Sequence, residues 1–328
     1  ATIHVLFPDE ARNKAFAVYG IALGLGGAAG CFLGGLLLKL DVAGLGWRTV
    51  FLVNLPICTA IAVAAWRLVP RNEVRAGVRL DIPGAFVLFC ALIDLIAPPM
   101  FGQQLGWPVW LWGVMAAGLV LLAVFLAIER RVAMPLIDLD LLTDGAFGRG
   151  LVTIFAFQFG NISFYLLMTL FLQGRLGLSP LHAGLIIVPL ALAFTLSSRL
   201  TGGWVTRYGV RTLLGGLALQ LASLLALMDV VTLQPPHVLA VVVTILMVFG
   251  FGQGLVMAPL SALVLRTVRP THAGAGSGIL NTVHQAAGAT GVSIVGLFAF
   301  EGRLLESLIL LAASVVVTAG LLLSQGRR

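Results

Sequence analysis

The chain has 328 residues, 59% of them hydrophobic and only 10% charged, with a formal net charge of +7 and a mean hydropathy of +1.06. A water-soluble domain carries about 25% charged residues, so this composition excludes a soluble globular fold. Apolar helices of about twenty residues are what cross the hydrocarbon layer, whereas a transmembrane β-barrel would show alternation in segments of about ten. The long uncharged runs therefore predict an all-α polytopic membrane protein.

Ten spans are predicted in chain order: 15–38, 49–66, 82–101, 109–128, 150–172, 183–204, 212–233, 238–261, 273–299 and 305–324. The first carries GLGGAAGCFLGG, Gly24 to Gly35, in which six of twelve residues are glycine. Glycine costs a helix interior roughly 1 kcal/mol relative to alanine, so the repetition needs a reason. Gly26, Gly30 and Gly34 lie four apart and form one stripe, while Gly27, Cys31 and Gly35 form the next. In lipid, such small-residue stripes let two helix backbones approach closely; static packing and a sliding contact between moving helices are both open. A phosphate-binding loop would need a strand before it and a helix after it. These glycines lie inside an apolar span, as do GFGQG at 250–254 and GAGSG at 274–278.

The third span holds Asp94 and the seventh Asp229. A carboxylate at a helix centre costs roughly 2.5–3.5 kcal/mol on insertion scales, and a desolvated one can bind a proton near neutrality. Each is a candidate proton carrier; helix contact for Asp94 and snorkelling for Asp229 are the alternatives. Arg199, two turns before Arg207, reaches for the nearer interface. A second polar set comprises Gln158, Asn161, Gln253, Asn281, His284 and Gln285, with Asn281 and Gln285 four apart on one helix face. This set either lines a central cavity or bonds helices together. Pro56, Pro189 and Pro259 fall within spans, where proline bends a helix.

Assigning alternate connections to alternate sides sorts the basic residues. Arg12, Lys14, Arg67, Arg71, Arg75, Arg79, Arg130, Arg131, Arg149, Arg207, Arg211, Arg266, Arg269, Arg327 and Arg328 fall on one side, and Lys39, Arg48, Arg175 and Arg303 on the other. Basic loops stay in the cytoplasm, so both termini are expected there, and the positive charge needs no nucleic-acid partner. The five histidines are too dispersed for a metal site, and no nucleophile–base constellation suggests an enzyme.

Several blocks together resemble the fourteen-helix drug:proton antiporters of the major facilitator superfamily, the EmrB/QacA type. FPDEARNKAFAVYG (7–20) resembles the loop entering the family's fifth helix, and the glycine stretch its antiporter motif. LGWRTVFLVNLPI (45–57) resembles the start of helix six, LFLQGRLGLSPLHAGLIIVPLAL (170–192) the pattern around helices nine and ten, and GSGILNTVHQAAGATGVSIVG (276–296) the block opening helix thirteen. The resemblance implies a superfamily helical bundle that starts at the fifth helix, leaving the N-terminal half incomplete by four helices. Residues 1–69 would close that half, 70–131 would be two extra central helices, and 132–328 the C-terminal six-helix half.

By the same resemblance, the antiporter-motif helix is carried by Gly20, Gly26, Gly30, Gly34 and Gly35. The inter-helix loop motif is carried by Gly202, Arg207, Gly209 and Arg211 in GGWVTRYGVR. Asp94, Asp229, Gln158, Asn161, Asn281 and Gln285 remain the candidate proton or cavity residues. The sequence departs from the family pattern at Gly27 and Cys31 (usually proline), Thr206 (usually aspartate) and His284 (commonly arginine).

The expected function is multidrug efflux across the plasma (inner) membrane. Amphipathic organic molecules would exchange for protons by alternating access, with no cofactor beyond the proton gradient. The ten spans by themselves are not expected to pump. A truncated, non-transporting membrane subunit and a specific metabolite exporter of the same superfamily are the alternatives. Reporter tags inserted at residues 42 and 72 are expected in opposite compartments; both in one compartment would overturn the threading.

Overall fold

The computed structural model describes residues 26–27, 29–30, 32–68, 81–132, 145–233, 235–268 and 273–325. Gly20 and the boundary drawn between residues 69 and 70 lie outside them. Residues 26–27, 29–30 and 32–40 are helical. The spans that follow are α1 (Arg48–Leu68), α2 (Ile82–Leu105), α3 (Val109–Glu129), α4 (Gly145–Thr169), α5 (Pro180–Tyr208), α6 (Val210–Leu233), α7 (Val238–Leu265), α8 (Ala273–Ala299) and α9 (Leu304–Gln325). A π-helical turn, Leu170–Arg175, extends α4.

Eight of these helices, α1 to α7 and α9, are long and apolar enough to cross a membrane. The protein is thus an all-helical, multi-pass membrane protein. α8, at 27 residues, has the length. It lacks a stretch as apolar as theirs, because Ser277, Asn281, Thr282, His284 and Gln285 are spread through its first half. All six tryptophans sit within about one turn of a helix end: Trp47 and Trp66 flank α1, Trp107, Trp110 and Trp112 surround the start of α3, and Trp204 lies near the end of α5. Amphipathic rings at this level mark the two membrane–water interfaces.

The shared hydrophobic core runs from Phe147 to Leu322 and takes no residue from α1, α2 or α3. Within it α4 lies against α8 and α9, α6 against α7 and α9, and α7 against α5. α2 and α3 form a hairpin that rests on α8 through α2. Asp81 caps α2, its Oδ1 accepting from the Gly84 N–H at 3.0 Å, which satisfies one of the orphan donors of a helix start. The residues Asn54–Leu68 of α1 include no buried side chain.

Helix contacts in the bundle are made where side chains are missing. Gly250 and Gly254, one turn apart on α7, face the backbone of α5 at Leu190 and Phe194, and Thr201 on α5 donates to the Gly254 carbonyl at 3.2 Å. Gly252, on the opposite face of the same turn, meets Gly216 of α6. GFGQG is therefore a two-sided packing element. On α8, Gly288 and Gly291 admit Ile162 and the Phe159 carbonyl of α4. Pro189 and Pro259 lie inside α5 and α7, which run through them as continuous helices.

The neighbouring glycines of α6 test this assignment. A Cβ on Gly216 would sit 2.7 Å from the Gly252 carbonyl oxygen and 2.7 Å from Val256 Cγ2, whereas Gly215 has nothing within 4 Å. Gly216→Ala is expected to destabilise by about 1–3 kcal/mol through overpacking. Gly215→Ala is expected to be neutral or stabilising by up to about 1 kcal/mol. Reversible unfolding in detergent micelles reads both.

Candidate functional site: a buried amide chain across three helices

The 3.6-residue period places Gln158, Asn161 and Tyr165 on one face of α4, at spacings of three and four. That face meets Gln253 on α7 and His284 on α8. The Tyr165 hydroxyl donates to Gln253 Oε1 at 3.1 Å. Gln253 Nε2 donates to Asn161 Oδ1 at 2.8 Å, Asn161 Nδ2 donates to Gln158 Oε1 at 3.1 Å, and Gln158 Nε2 lies 3.2 Å from His284 Nδ1. Gln158, Asn161 and Gln253 are 4%, 5% and 4% exposed. At this depth an unpaired amide is costly, and each amide is held by the next.

The chain of amides runs beside stacked aromatic rings, Phe164 of α4 over Phe249 of α7 at 3.7 Å between centroids. Behind them lies a small cavity of about 10 Å³, lined by Asn161, Gln220, Phe157 and Leu224 among others. Gln220 of α6 is 2% exposed, and its Nε2 has no hydrogen-bond partner among the described residues. The cavity has room for about one water molecule, which would give that donor its acceptor.

The structure distributes the sequence-derived candidates unevenly. Gln158 and Asn161 come together in the buried chain, with Gln253 and His284. Asn281 and Gln285 share a face but stand exposed, outside the chain; with Gly274 and Gly278 they form an exposed stripe along α8. Asp94 is half-buried at the α2–α3 crossing, close to where a Gly118 side chain would be. Asp229 is exposed near the end of α6. Neither carboxylate reaches the amide chain. Arg199 is exposed on α5.

Of the antiporter-motif glycines, Gly26, Gly30 and Gly34 have no described atom within 4 Å of a would-be Cβ. Gly35 is packed against the start of α5, at Pro180 and Leu181. In the loop motif Gly202, Arg207 and Arg211 are exposed, and Thr206 donates to the Gly202 carbonyl at 2.9 Å. Gly209 joins α5 to α6 by itself at φ 57 and ψ −133, a conformation essentially confined to glycine. Among the described residues no three His, Cys, Asp or Glu side chains are grouped to hold a metal.

Two members of the site escaped the sequence reading. Tyr165 follows Gln158 by seven residues, two helical turns, and that spacing was the available signal. Gln220 is a lone amide in the apolar run LALQLAS; its role depends on which helix faces it.

Residues 1–292 match the family model described as Major Facilitator Superfamily. The probable actinorhodin transporter of Streptomyces coelicolor is 33% identical over 304 residues, 91% of this chain and 53% of that protein. The puromycin resistance protein of Streptomyces alboniger is 32% identical over 302 residues, covering 90% and 58%. The drug efflux pump JefA of Mycobacterium tuberculosis is 33% identical over 301 residues, covering 88% and 56%. The chain thus spans about half the length of the curated relatives it matches. A crystal structure of a bacterial homologue of the iron transporter ferroportin, inward-facing, aligns over 95% of this chain and 83% of its own, at 15% identity and a TM-score of 0.47.

Gln220→Leu is expected to raise stability by up to about 1 kcal/mol, since it removes a buried donor that no described protein group accepts from. Asn161→Leu is expected to lower it by about 1–3 kcal/mol by stripping both Gln253 and Gln158 of a partner. Thermal unfolding in detergent distinguishes the two.

Proposed function

The chain belongs to the major facilitator superfamily, and from that premise we propose that it forms part of a proton-coupled exporter of amphipathic organic molecules. The observation that carries the reading is the contrast between the faces of the bundle. On the other helices the exposed positions include many large apolar side chains, such as Leu192 and Leu196 on α5 and Val316 and Val317 on α9, with the charged ones Arg199, Arg207, Arg211 and Asp229 towards the helix ends. On α8 the exposed stripe is Gly274, Gly278, Asn281 and Gln285. Amides facing hydrocarbon are costly, so this stripe borders a water-filled path. The buried amide chain lies immediately behind it, through His284.

A path with apolar walls and few amides suits varied amphipathic ligands, because burial of apolar area, which is non-directional, supplies most of the affinity. The relatives' names, with actinorhodin, puromycin and drug efflux among them, favour export. The proton gradient is the proposed energy source. Alternating access would come from rocking of helix bundles about a midplane site.

The proposed setting is the plasma membrane with both termini cytoplasmic. In the bundle, Gln325 at the end of α9 donates to the Arg149 carbonyl and to Thr153 at the start of α4. By alternation this end also holds Arg207, Arg211 and Arg266, while Arg175 and Arg303 lie at the other. Arginine-rich ends belong to the cytoplasmic side.

Expressed in a bacterial host stripped of its own efflux pumps, the exporter of which this chain forms part is expected to lower ethidium accumulation. A protonophore is expected to restore it. Asn281→Leu with Gln285→Leu is expected to reduce efflux about tenfold while leaving membrane insertion intact. Efflux that survives the protonophore would overturn proton coupling, and unchanged efflux in the double variant would remove α8 from the path.

A further inference from the structure

The hydrogen-bond chain has a direction, and that direction assigns a proton state. An amide offers one acceptor oxygen and one donor nitrogen. Asn161 Nδ2 already donates to Gln158 Oε1, so the group that Gln158 turns to His284 is its NH2. His284 Nδ1 must then be the acceptor. That arrangement suits the neutral imidazole with its hydrogen on Nε2. From Tyr165 to Gln253, Asn161, Gln158 and His284, every donor points the same way.

We propose that His284 is a protonation switch whose state is transmitted through this amide chain to Tyr165, linking α8, α4 and α7. One proton from water binds Nδ1, and nothing else in the chain gains or loses a proton. Nδ1–H now needs an acceptor, so Gln158 turns its Oε1 to it. Gln158 Nε2 then faces Asn161, which presents Oδ1. Asn161 Nδ2 donates to Gln253 Oε1, and Gln253 Nε2 to the Tyr165 oxygen. Each bond is remade with the opposite polarity, and the Tyr165 hydroxyl changes from donor to acceptor. Partial reversal would leave two donors or two acceptors face to face in a buried site, which costs more than completing the sequence. The switch is therefore all-or-none across three helices.

Among the described residues, His284 is the group in the hydrogen-bond chain that changes charge between about pH 8 and pH 5. α8 carries no other ionisable residue, and α7 carries none within its span. α4 contributes Tyr165 and, at its first turn, Arg149. α2 contributes Cys90 and Asp94, the latter close to Gly118 of α3. α9 contributes Glu306 at its first turn, held by Arg303 at 3.1 Å. None of the carboxylates enters the chain of amides.

The switch deepens the proton-coupled reading above, and its test does not depend on transport. The chain is placed in lipid nanodiscs with ¹⁵N-histidine and ¹³Cζ-tyrosine labels and titrated from about pH 8 to about pH 5, the range in which histidine changes charge. His284→Gln and Tyr165→Phe assign the two signals. The Tyr165 signal is expected to shift with the same midpoint as His284, and to lose its pH dependence in His284→Gln. In Asn161→Leu, His284 is expected to titrate while Tyr165 stays still; Gln253→Met cuts the chain at another link and serves the same purpose should Asn161→Leu not fold. A Tyr165 signal that ignores the His284 titration in the unmodified protein, or follows it through a cut chain, overturns the proposal. Efflux that proves independent of the proton gradient, with this titration as expected, would defeat the transport reading alone.

Discussion

A polar group inside a bilayer has no water to fall back on, and this constraint organises the bundle. Backbone groups meet it by folding into helices. Side-chain amides meet it only through one another, and so Gln158, Asn161 and Gln253 form a closed sequence instead of three separate contacts. The same constraint makes the exceptions informative. Gln220, buried without a partner among the described residues beside a small cavity, points to a water site. The amides of α8 that face outward, Asn281 and Gln285, are the basis of the proposed transport path.

For such a chain to form, helices must come close enough for short side chains to bond. Glycine provides the approach. Gly250, Gly252 and Gly254 bring α7 against α5 on one face and α6 on the other, and Gly288 and Gly291 bring α8 onto α4. Three of these five helices, α4, α7 and α8, carry the amide chain. Packing and polarity are thus two aspects of one arrangement: dispersion between closely approaching backbones holds the helices, and the amides fix their register. A single-residue connection, Gly209 between α5 and α6, keeps the corner short by adopting a backbone conformation that a side chain would strain.

The spans were legible because lipid demands long apolar stretches, and the helices from α1 onward fall where hydropathy put them. The polar character of α8 was legible too, since Asn281, His284 and Gln285 stand out in an apolar chain. The motif glycines were harder to read. GFGQG and the Gly26–Gly30–Gly34 stripe look alike in sequence, yet the first is packed on two sides and the second meets no described neighbour. Spacing tells which residues share a face but not what that face meets.

By itself, then, the sequence determined the membrane class, the spans and the stock of polar groups within them, because those depend on composition and period along one chain. The tertiary structure decided which of those groups act together. Asp94 and Asp229, the costliest residues on an insertion scale, lie apart from the buried amide chain, whereas Tyr165, Gln253 and His284 join Gln158 and Asn161 from three helices. Hydrogen bonds reach about 3 Å, and residues up to 126 positions apart come within that range only once the helices have packed.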